Sequence, residues 1–383
     1  MAEPNTIFYG ILIIFSLSYL IIIGFYTIGW YRLKNADFKT VSGTTRVSII
    51  VPCRNEEDNI ESLLFGLANQ DYPTALYEVI VVDDNSTDKT VEKINTLKIQ
   101  YPKPSIATIE IHEENQRIAF KKKAINLGIE KSTGDLIITT DADCRVGNQW
   151  LSSVVGFYEF SKPKMIVGPV SFHDEKTWFE KMQTLEFLSL VGITAGAISI
   201  GKPVMCNGAN LVYEKSAFFE VGGFGNDQFS SGDDVFLMLK IKEFYGNKSV
   251  RFLKNDTAFV LTKAKRSLNE FIHQRTRWAS KNKGYDLKIL TISLTVFITN
   301  FLVIVGLFWG IFNPEILRIM LMFILLKTLI ELPVFIGVVS FAKRTSLLLY
   351  GLPLILFYPI YIIVAGIAGM ISPYQWKGRR IIK

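Results

Sequence analysis

Four long apolar runs frame one large polar insert, and this layout limits the chain more than any other feature. No charged side chain occurs from Ile7 to Trp30, and the runs Ile289 to Phe312 and Leu347 to Ile371 are of the same kind. Each reaches the ~20 residues that an α-helix needs to cross ~30 Å of hydrocarbon. A fourth run, Ile316 to Phe341, carries Arg318 near its start and Lys327 and Glu331 inside. The chain therefore reads as a polytopic membrane protein with a polar insert from Tyr31 to about Lys288. A mean hydropathy of +0.27 and a charged fraction of 20% agree, being too apolar for an ordinary soluble enzyme.

The first run reads as a retained helix and not as a cleaved leader, because Glu3 is the one charge before it and no small-residue cleavage pattern follows. Arg32, Lys34 and Lys39 follow it, while Lys263, Lys265, Arg266, Arg275, Arg277, Lys281 and Lys283 precede the second run. The positive-inside rule then puts the insert in the cytoplasm and the N-terminus outside. The net charge of +7 gathers at these flanks, so it reads as attraction to anionic lipid and not to nucleic acid. Cys53, Cys144 and Cys206 are an odd set without CxxC spacing, which argues against a disulfide framework or a zinc site and fits a reducing compartment. The expected division is a membrane helix over 1–31, a folded domain over 32–262, and an interfacial amphipathic region over 263–288. About three further membrane segments over 289–372 and a basic tail over 373–383 follow.

Within the insert, strand and helix alternate. Val47 to Val51 is a β-branched run of the length of a buried parallel strand. Asn55 follows as an expected N-cap, with Glu56, Glu57 and Asp58 in the first turn and Ile60, Leu63, Leu64 and Leu67 at helical spacing. Strands over Val79–Val82, Ile106–Ile111 and Leu136–Thr140 alternate with helices over Thr87–Leu97 and Lys122–Glu130. That pattern predicts an α/β domain with a doubly wound parallel sheet, whose ligands bind beyond the carboxyl ends of the strands.

Paired acids stand at three such places: Asp83-Asp84, Asp141-Ala142-Asp143, and Asp233-Asp234 at the head of a helix over Val235–Tyr245. Any one pair alone is more often a turn or a cap than a site. The DxD is more specific, because a spacing of two on an extended strand points both carboxylates to one side. Two hard oxygen ligands there suit Mg²⁺ or Mn²⁺, with phosphate and water filling the remaining positions.

The ordered set SIIVPCRNEEDNI, VVDDNSTD, FKKKAINLGI, TTDADC, CNGANLVYEKSAFFEVGGF, SGDDVF and QRTRW resembles the family-2 glycosyltransferases of GT-A fold, and covers about Val47 to Trp278. The membrane plan resembles that family's membrane-bound synthases of cellulose, hyaluronan and chitin. The resemblance implies that Pro52, Arg54, Asn55 and Glu56 lie against base and ribose and that Asp84 bonds the uracil or its equivalent. It implies that Lys121 faces the diphosphate, that Asp141 contacts ribose or sugar, and that Asp143 holds the metal. Asn207 and Gly208 then border the acceptor cleft, Asp234 is the catalytic base, and Gln274, Arg277 and Trp278 lid the donor and stack on the acceptor. Asp233 stands where the family has glutamate, and Asn85 where it has glycine, a position of positive φ that Asn tolerates.

The implied function is an inverting transfer of a sugar from a nucleotide diphosphate, UDP being the commonest donor, to a membrane lipid or a lipid-linked glycan. Alternatives are a processive polysaccharide synthase, which the few polar membrane helices disfavour, and a non-catalytic nucleotide-sugar-binding scaffold or transporter component. A dinucleotide-dependent oxidoreductase is disfavoured because the first strand-to-helix turn, PCRNEED, contains no glycine. Against the resemblance stand plainer readings. Lys121 to Lys123 can be a solvated helix start, Trp278 an interfacial anchor, and His112, His173 and His273 surface or structural residues. Asp174 to Lys176 reads as an exposed turn, and Lys327 with Glu331 as a mutually neutralising pair four residues apart. The tail at Trp376–Arg380 favours the cytoplasm, although four crossings would put it outside; Gly351, Pro353 and Pro359 give the last segment the means to re-enter instead.

Overall fold

A computed structural model describes residues 4–36, 43–111, 120–225, 232–280, 284–371, 374–376 and 379–381. In chain order its strands are β1 (Val47–Cys53), β2 (Tyr77–Asp83), β3 (Ser105–Glu110), β4 (Leu136–Thr139), β5 (Arg145–Val146), β6 (Met165–Val167), β7 (Val170–His173), β8 (Leu211–Glu214), β9 (Val250–Phe252), β10 (Val260–Lys263), β11 (Tyr374–Trp376) and β12 (Arg379–Ile381). The helices are α1 (Pro4–Arg32), α2 (Ile60–Ala68), α3 (Thr90–Gln100), α4 (Phe120–Lys131), α5 (Trp150–Ser161), α6 (Trp178–Ser199), α7 (Lys215–Glu220), α8 (Asp233–Tyr245), α9 (Leu268–Ala279), α10 (Leu287–Gly310), α11 (Pro314–Phe341) and α12 (Gly351–Ile371).

The main sheet has the order β3-β2-β1-β4-β8-β6-β9. Strands β1 to β4 are parallel, as the buried β-branched runs require, but β8 runs antiparallel to both β4 and β6. The sheet is therefore mixed, not all-parallel. Alternation of strand and helix ends after β4, and the sequence between β4 and β8 is occupied by two helices and three short strands. A second sheet, β5-β10-β7, flanks the first. Ile49, Ile50, Val79, Val81, Ile137 and Ile138 are fully buried between the helical layers, and burial of such aliphatic side chains contributes ~1.5–3 kcal/mol each.

Two boundaries differ from expectation. Asn55 is not a helix cap: it sits at φ 50° and its Oδ1 accepts the Thr87 N–H at 2.9 Å, tying the loop after β1 to the loop after β2. Helix α2 begins only at Ile60, after a turn in which Asn59 and Ile60 donate to the Glu56 carbonyl. The acidic run 56–58 thus forms a turn before the helix instead of its first turn.

Among the described residues, five helices are long and apolar enough to cross a membrane: α1, α6, α10, α11, and the segment Thr345–Ile371 that contains α12. The four runs read from the sequence account for all of these except α6, which is 83% buried over its most apolar window. Both ends of α6 rest on the α/β domain. Its N-terminus follows β7 through a Thr177–Glu180 capping box, and a Cβ added at Gly201, just past its C-terminus, would stand 3.1 Å from the Cβ of Asn247 in the loop after α8. The helix is a platform between domain and membrane bundle. Gly29 of α1 and Gly196 of α6 let those backbones touch: a Cβ at Gly196 would lie 1.9 Å from the Tyr26 carbonyl oxygen. The far faces of α1 and α11, with Ile14, Leu17, Phe25, Met322 and Leu325 exposed, are the surfaces left for lipid.

The last apolar segment is tied to its surroundings along its length. At its head, Arg344 donates to the Phe172 carbonyl and makes two bonds to the Glu175 carboxylate, at 2.8 and 2.9 Å. Midway, the Tyr358 ring lies 5.3 Å from the Lys327 ammonium in the middle of α11. At its tail, a Cβ on Gly369 would meet Ala279 of α9, and the β11–β12 hairpin packs on α9. Both ends of the segment therefore pack on the α/β domain or on α9. The Glu175 bond also corrects the exposed-turn reading of 174–176, because Glu175 is buried by its ion pair while Asp174 stays exposed. Lys327 and Glu331 do pair, at 2.6 Å, and Tyr19 donates to the same carboxylate. His112, Lys281, Lys283 and Lys383 lie outside the described residues.

Candidate active site

The site forms where β1, β2 and β4 end. Register alone brings Cys53 opposite Asp83, and the Asp84 N–H donates to the Cys53 carbonyl at 2.9 Å. The two acids of this pair then divide. Asp83 is structural: its carboxylate accepts the Ser86 N–H at 2.9 Å, which closes the turn in which Asn85 stands at φ 54°. Asp84 borders the cleft, with its carboxylate 3.8 Å from Arg54 Nη1 and its carbonyl accepting from the same guanidinium. Glu56 is fixed from behind by its N–H donating to Thr90 Oγ1 at 2.8 Å and by Asn59 donating to its carboxylate at 2.7 Å.

The DxD does not ride on a strand. Strand β4 stops at Thr139, and residues 141–144 form a turn closed by the Cys144 N–H donating to the Asp141 carbonyl at 3.0 Å. Both carboxylates still border the same cleft. Burial, then the negative charges of Asp143 and Asp141, push the Cys144 thiol well above its usual value. A turn that presents two carboxylates to one cleft fits a cation, and its hard oxygen donors fit Mg²⁺ or Mn²⁺. Among the described residues no group of three or more His, Cys, Asp or Glu side chains forms a metal cage by itself.

Lys121, on the first turn of α4, pairs with Asp141. Burial by itself would lower its pKa, but the carboxylates of Asp141 and Asp234 outweigh that effect and hold the ammonium above the usual lysine value. It therefore stays charged throughout the neutral range. Lys122 points the other way and stands 4.0 Å from Asp233.

Asp234 opens α8. Its Oδ2 accepts the Gly208 N–H at 3.1 Å and its Oδ1 accepts its neighbour Val235 N–H at 2.9 Å, so the carboxylate is aimed by two backbone groups. Asn207 caps the short turn 208–210 by accepting the Ala209 N–H, and so sets the position of Gly208. The opposite wall is α9, started by a Ser267–Glu270 capping box.

These walls enclose a cleft of about 700 Å³, within the ~300–1,000 Å³ of small-molecule sites. Of the residues picked out from the sequence it is bordered by Pro52, Arg54, Glu56, Asp84, Lys121, Asp141, Asp143, Asn207, Gly208, Asp234, Gln274, Arg277 and Trp278. Two are not brought there. Asn55 is spent on the loop contact to Thr87, and Asp233 faces Lys122. The sequence reading missed Lys265, Glu270 and His273 on the rim. The last two were within its reach, because they share the helical face of Gln274 and Arg277 at steps of three and four.

A second cavity, of about 410 Å³, lies between the catalytic domain and helices α1, α6, α10 and α12. It is lined mostly by apolar side chains and meets the cleft at four residues common to both: Phe187, Asn207, Asp234 and Trp278. Trp278 is held there by a buried assembly. The Arg275 guanidinium lies 4.1 Å from the Trp278 ring and 4.5 Å from the Phe271 ring, pairs with Glu186 of α6, and shares that carboxylate with the Tyr361 hydroxyl, which donates at 2.7 Å. Neither Glu186 nor Arg275 was singled out for this role beforehand.

Comparison with known proteins gives two family matches: "Glycosyl transferase family 2" over residues 48–221 and "Glycosyl transferase family group 2" over residues 136–369. A glycosyltransferase of Haloferax volcanii, AglE, is 30% identical over 195 residues, 49% of this chain and 58% of that protein. A beta-monoglucosyldiacylglycerol synthase of a Nostoc species is 26% identical over 275 residues, 70% of this chain and 55% of that one. The chain thus spans little more than half the length of these curated relatives. Among solved structures, the mannosyltransferase PcManGT of Pyrobaculum calidifontis, in complex with GDP-Man and Mn²⁺, superposes with a TM-score of 0.59 at 19% identity, covering 95% of this chain and 99% of that one. The fold is GT-A, a Rossmann-like α/β domain with a mixed sheet, joined to apolar helices long enough to span a membrane.

Proposed function

From a chain that belongs to the family-2 glycosyltransferases, we propose an inverting enzyme that moves a sugar from a nucleotide diphosphate to a lipid or lipid-linked acceptor, with Asp234 as the base. The observation that carries this reading is the position of Asp234, which borders both the charged cleft and the apolar cavity. A donor in the cleft and an acceptor from the bundle side would meet at that carboxylate. The similarity to a glycolipid synthase points the same way.

The proposed chemistry is a single displacement. The acceptor hydroxyl gives its proton to Asp234, its oxygen bonds to the anomeric carbon from one face, and the bond from that carbon to the diphosphate oxygen breaks on the other. The two backbone N–H groups on Asp234 hold it in one orientation for that transfer. Arg54 and Asp84 would grip the base end of the nucleotide, while Lys121 and Arg277 would face the leaving diphosphate with fixed positive charge. Asp143, with Asp141 beside it, would hold a divalent cation, which supplies charge neutralisation to the diphosphate. Gln274 and Trp278 on α9 would close the cleft against water.

Asp234→Asn tests the assignment because it keeps shape and removes basicity. Transfer is expected to fall by up to roughly 10⁴-fold, with nucleotide affinity by calorimetry near that of the unaltered protein. Turnover within a few fold of the original would remove Asp234 from its role.

A further inference from the structure

We infer that Thr139 and Asn210 are positioning residues of the transfer reaction, which hold the turn 208–210 so that its Gly208 N–H aims the Asp234 carboxylate. The inference rests on the reading of Asp234 as the base and adds the groups that orient it. Neither residue borders the cleft. The antiparallel pairing of β8 with β4 sets Thr139 opposite Leu211, so the turn before β8 lies against the end of the strand that leads to Asp141. There the buried Thr139 hydroxyl donates to the Gly208 carbonyl at 2.8 Å. Asn207 Oδ1 accepts the Ala209 N–H at 3.0 Å, so the peptide group that joins Gly208 to Ala209 is held at both of its ends. The N–H one peptide earlier then reaches Asp234 Oδ2 at 3.1 Å.

Asn210 ties the same turn to the core. It is fully buried, and its side-chain amide donates to the Pro169 carbonyl at 2.8 Å and to the Ala258 carbonyl at 2.9 Å, while its Oδ1 accepts the Trp150 indole N–H at 3.2 Å. Its backbone is used twice more: the N–H donates to the Asn207 carbonyl at 3.2 Å, and the carbonyl accepts from Gly168 at 2.8 Å. The turn is thereby joined to α5, to the link between β6 and β7, and to the segment before β10. A Cβ at Gly168 would stand 2.3 Å from the Asn210 amide, so backbone and side chain touch directly there. A buried polar network with its members satisfied is rigid. The Asp234 side chain can turn about its own torsions, and a fixed N–H at one oxygen selects one orientation. That selection matters, because a misplacement of about 1 Å can cost roughly 10²-fold in rate.

Membranes containing the full-length protein are to be given saturating labelled UDP-glucose, UDP-N-acetylglucosamine and GDP-mannose in turn, and the transferred label measured. Calorimetry with UDP and Mn²⁺ on the purified protein reports whether the neighbouring DxD turn has stayed in place. Thr139→Val keeps the shape and removes the donor. It is expected to lower the saturating rate by roughly tenfold to hundredfold, with donor KM and UDP affinity near those of the unaltered protein. Thr139→Ser restores the hydroxyl and should regain most of the rate. In the Asp234→Asn background the valine change should lower the residual rate no further, because groups that act as a unit are not additive. Asn210→Asp keeps the volume but removes both amide donors, and should act as Thr139→Val does; full activity there would take Asn210 out of the role. If Asn210→Asp does not fold, the threonine series decides alone. An unaltered rate in Thr139→Val, or an equal fold loss with and without the Asp234 carboxylate, would overturn the inference and leave Asp234 as the base. High turnover in Asp234→Asn itself would instead remove the reading on which the inference rests.

Discussion

The donor cleft and the apolar cavity meet at Asp234, yet they are built in opposite ways. The cleft is made of strand ends and their turns, so its residues fall in short contiguous stretches such as Pro52–Arg54 and Asp141–Cys144. Its polar groups hold one another beside the ends of a buried sheet. The cavity has one such stretch, Val204–Asn207, and otherwise draws on separate helices. Much of its wall comes from α1, α6, α10 and α12, spread over most of the chain, and the buried pair of Glu186 with Arg275 joins residues 89 positions apart. A site of the first kind tolerates local change, while one of the second kind depends on how whole helices pack.

That contrast is most exposed to failure at Arg275. Arg275→Met would leave the Glu186 carboxylate buried without its cation, for which about 3–5 kcal/mol of lost stability is expected. Because Arg275 borders the cavity and not the cleft, nucleotide affinity should persist in whatever protein remains folded, while acceptor KM rises. Thermal unfolding in detergent and nucleotide titration read the two effects. The double change Glu186→Leu with Arg275→Met should recover most of the stability, since replacing both partners by apolar groups is often neutral. Recovery of acceptor KM as well would mean that Trp278 does not need the pair for its position.

The cleft side gives the reciprocal result. Asp143→Ala is expected to weaken metal-dependent donor binding by at least the ~10–100-fold that loss of an outer-shell partner costs a metal site, with unfolding temperature nearly unchanged. Calorimetry with UDP and Mn²⁺ is the check, and an unaltered affinity would break the assignment of the DxD.

The smallest effect concerns Glu175, which ties the start of the last apolar segment to β7. Burial alone would raise its pKa, but hydrogen bonds from Arg344 and Thr184 outweigh that and hold it below the usual glutamate value. A depressed carboxylate stabilises fully above its unfolded pKa and loses that contribution as pH falls through the folded one. The stability gap between the unaltered protein and Glu175→Gln should therefore narrow on acidification below the ordinary glutamate range. A gap that stays constant would take the carboxylate out of this link.

How far each region was legible follows from the same difference. Strand ends announce themselves, since Val47–Val51 and Leu136–Thr139 are buried β-branched runs and the acids follow them directly. The turn that carries Asp141 and Asp143 was taken for strand, because the period of two says nothing about where a ladder stops. Asn55 reads as a cap by residue type, but its side chain is captured by a loop that lies 32 positions away. Helix α6 escaped because Glu180, Lys181 and Glu186 interrupt its apolar sequence, and Glu186 makes sense only against its distant partner Arg275. For α12, Gly351, Pro353 and Pro359 offer re-entry as an option, but its contacts through Arg344, Tyr358 and Gly369 are all long-range and could not be read from its own sequence.

The central claim is that Asp234 serves an acceptor that reaches it from the membrane side. Membranes containing the protein, incubated with labelled nucleotide sugar and extracted with organic solvent, test this most directly. The account expects the label in the solvent phase as a lipid bearing one or a few sugars, and its loss in Asp234→Asn. Label that remains in a high-mass, solvent-insoluble polymer would contradict it.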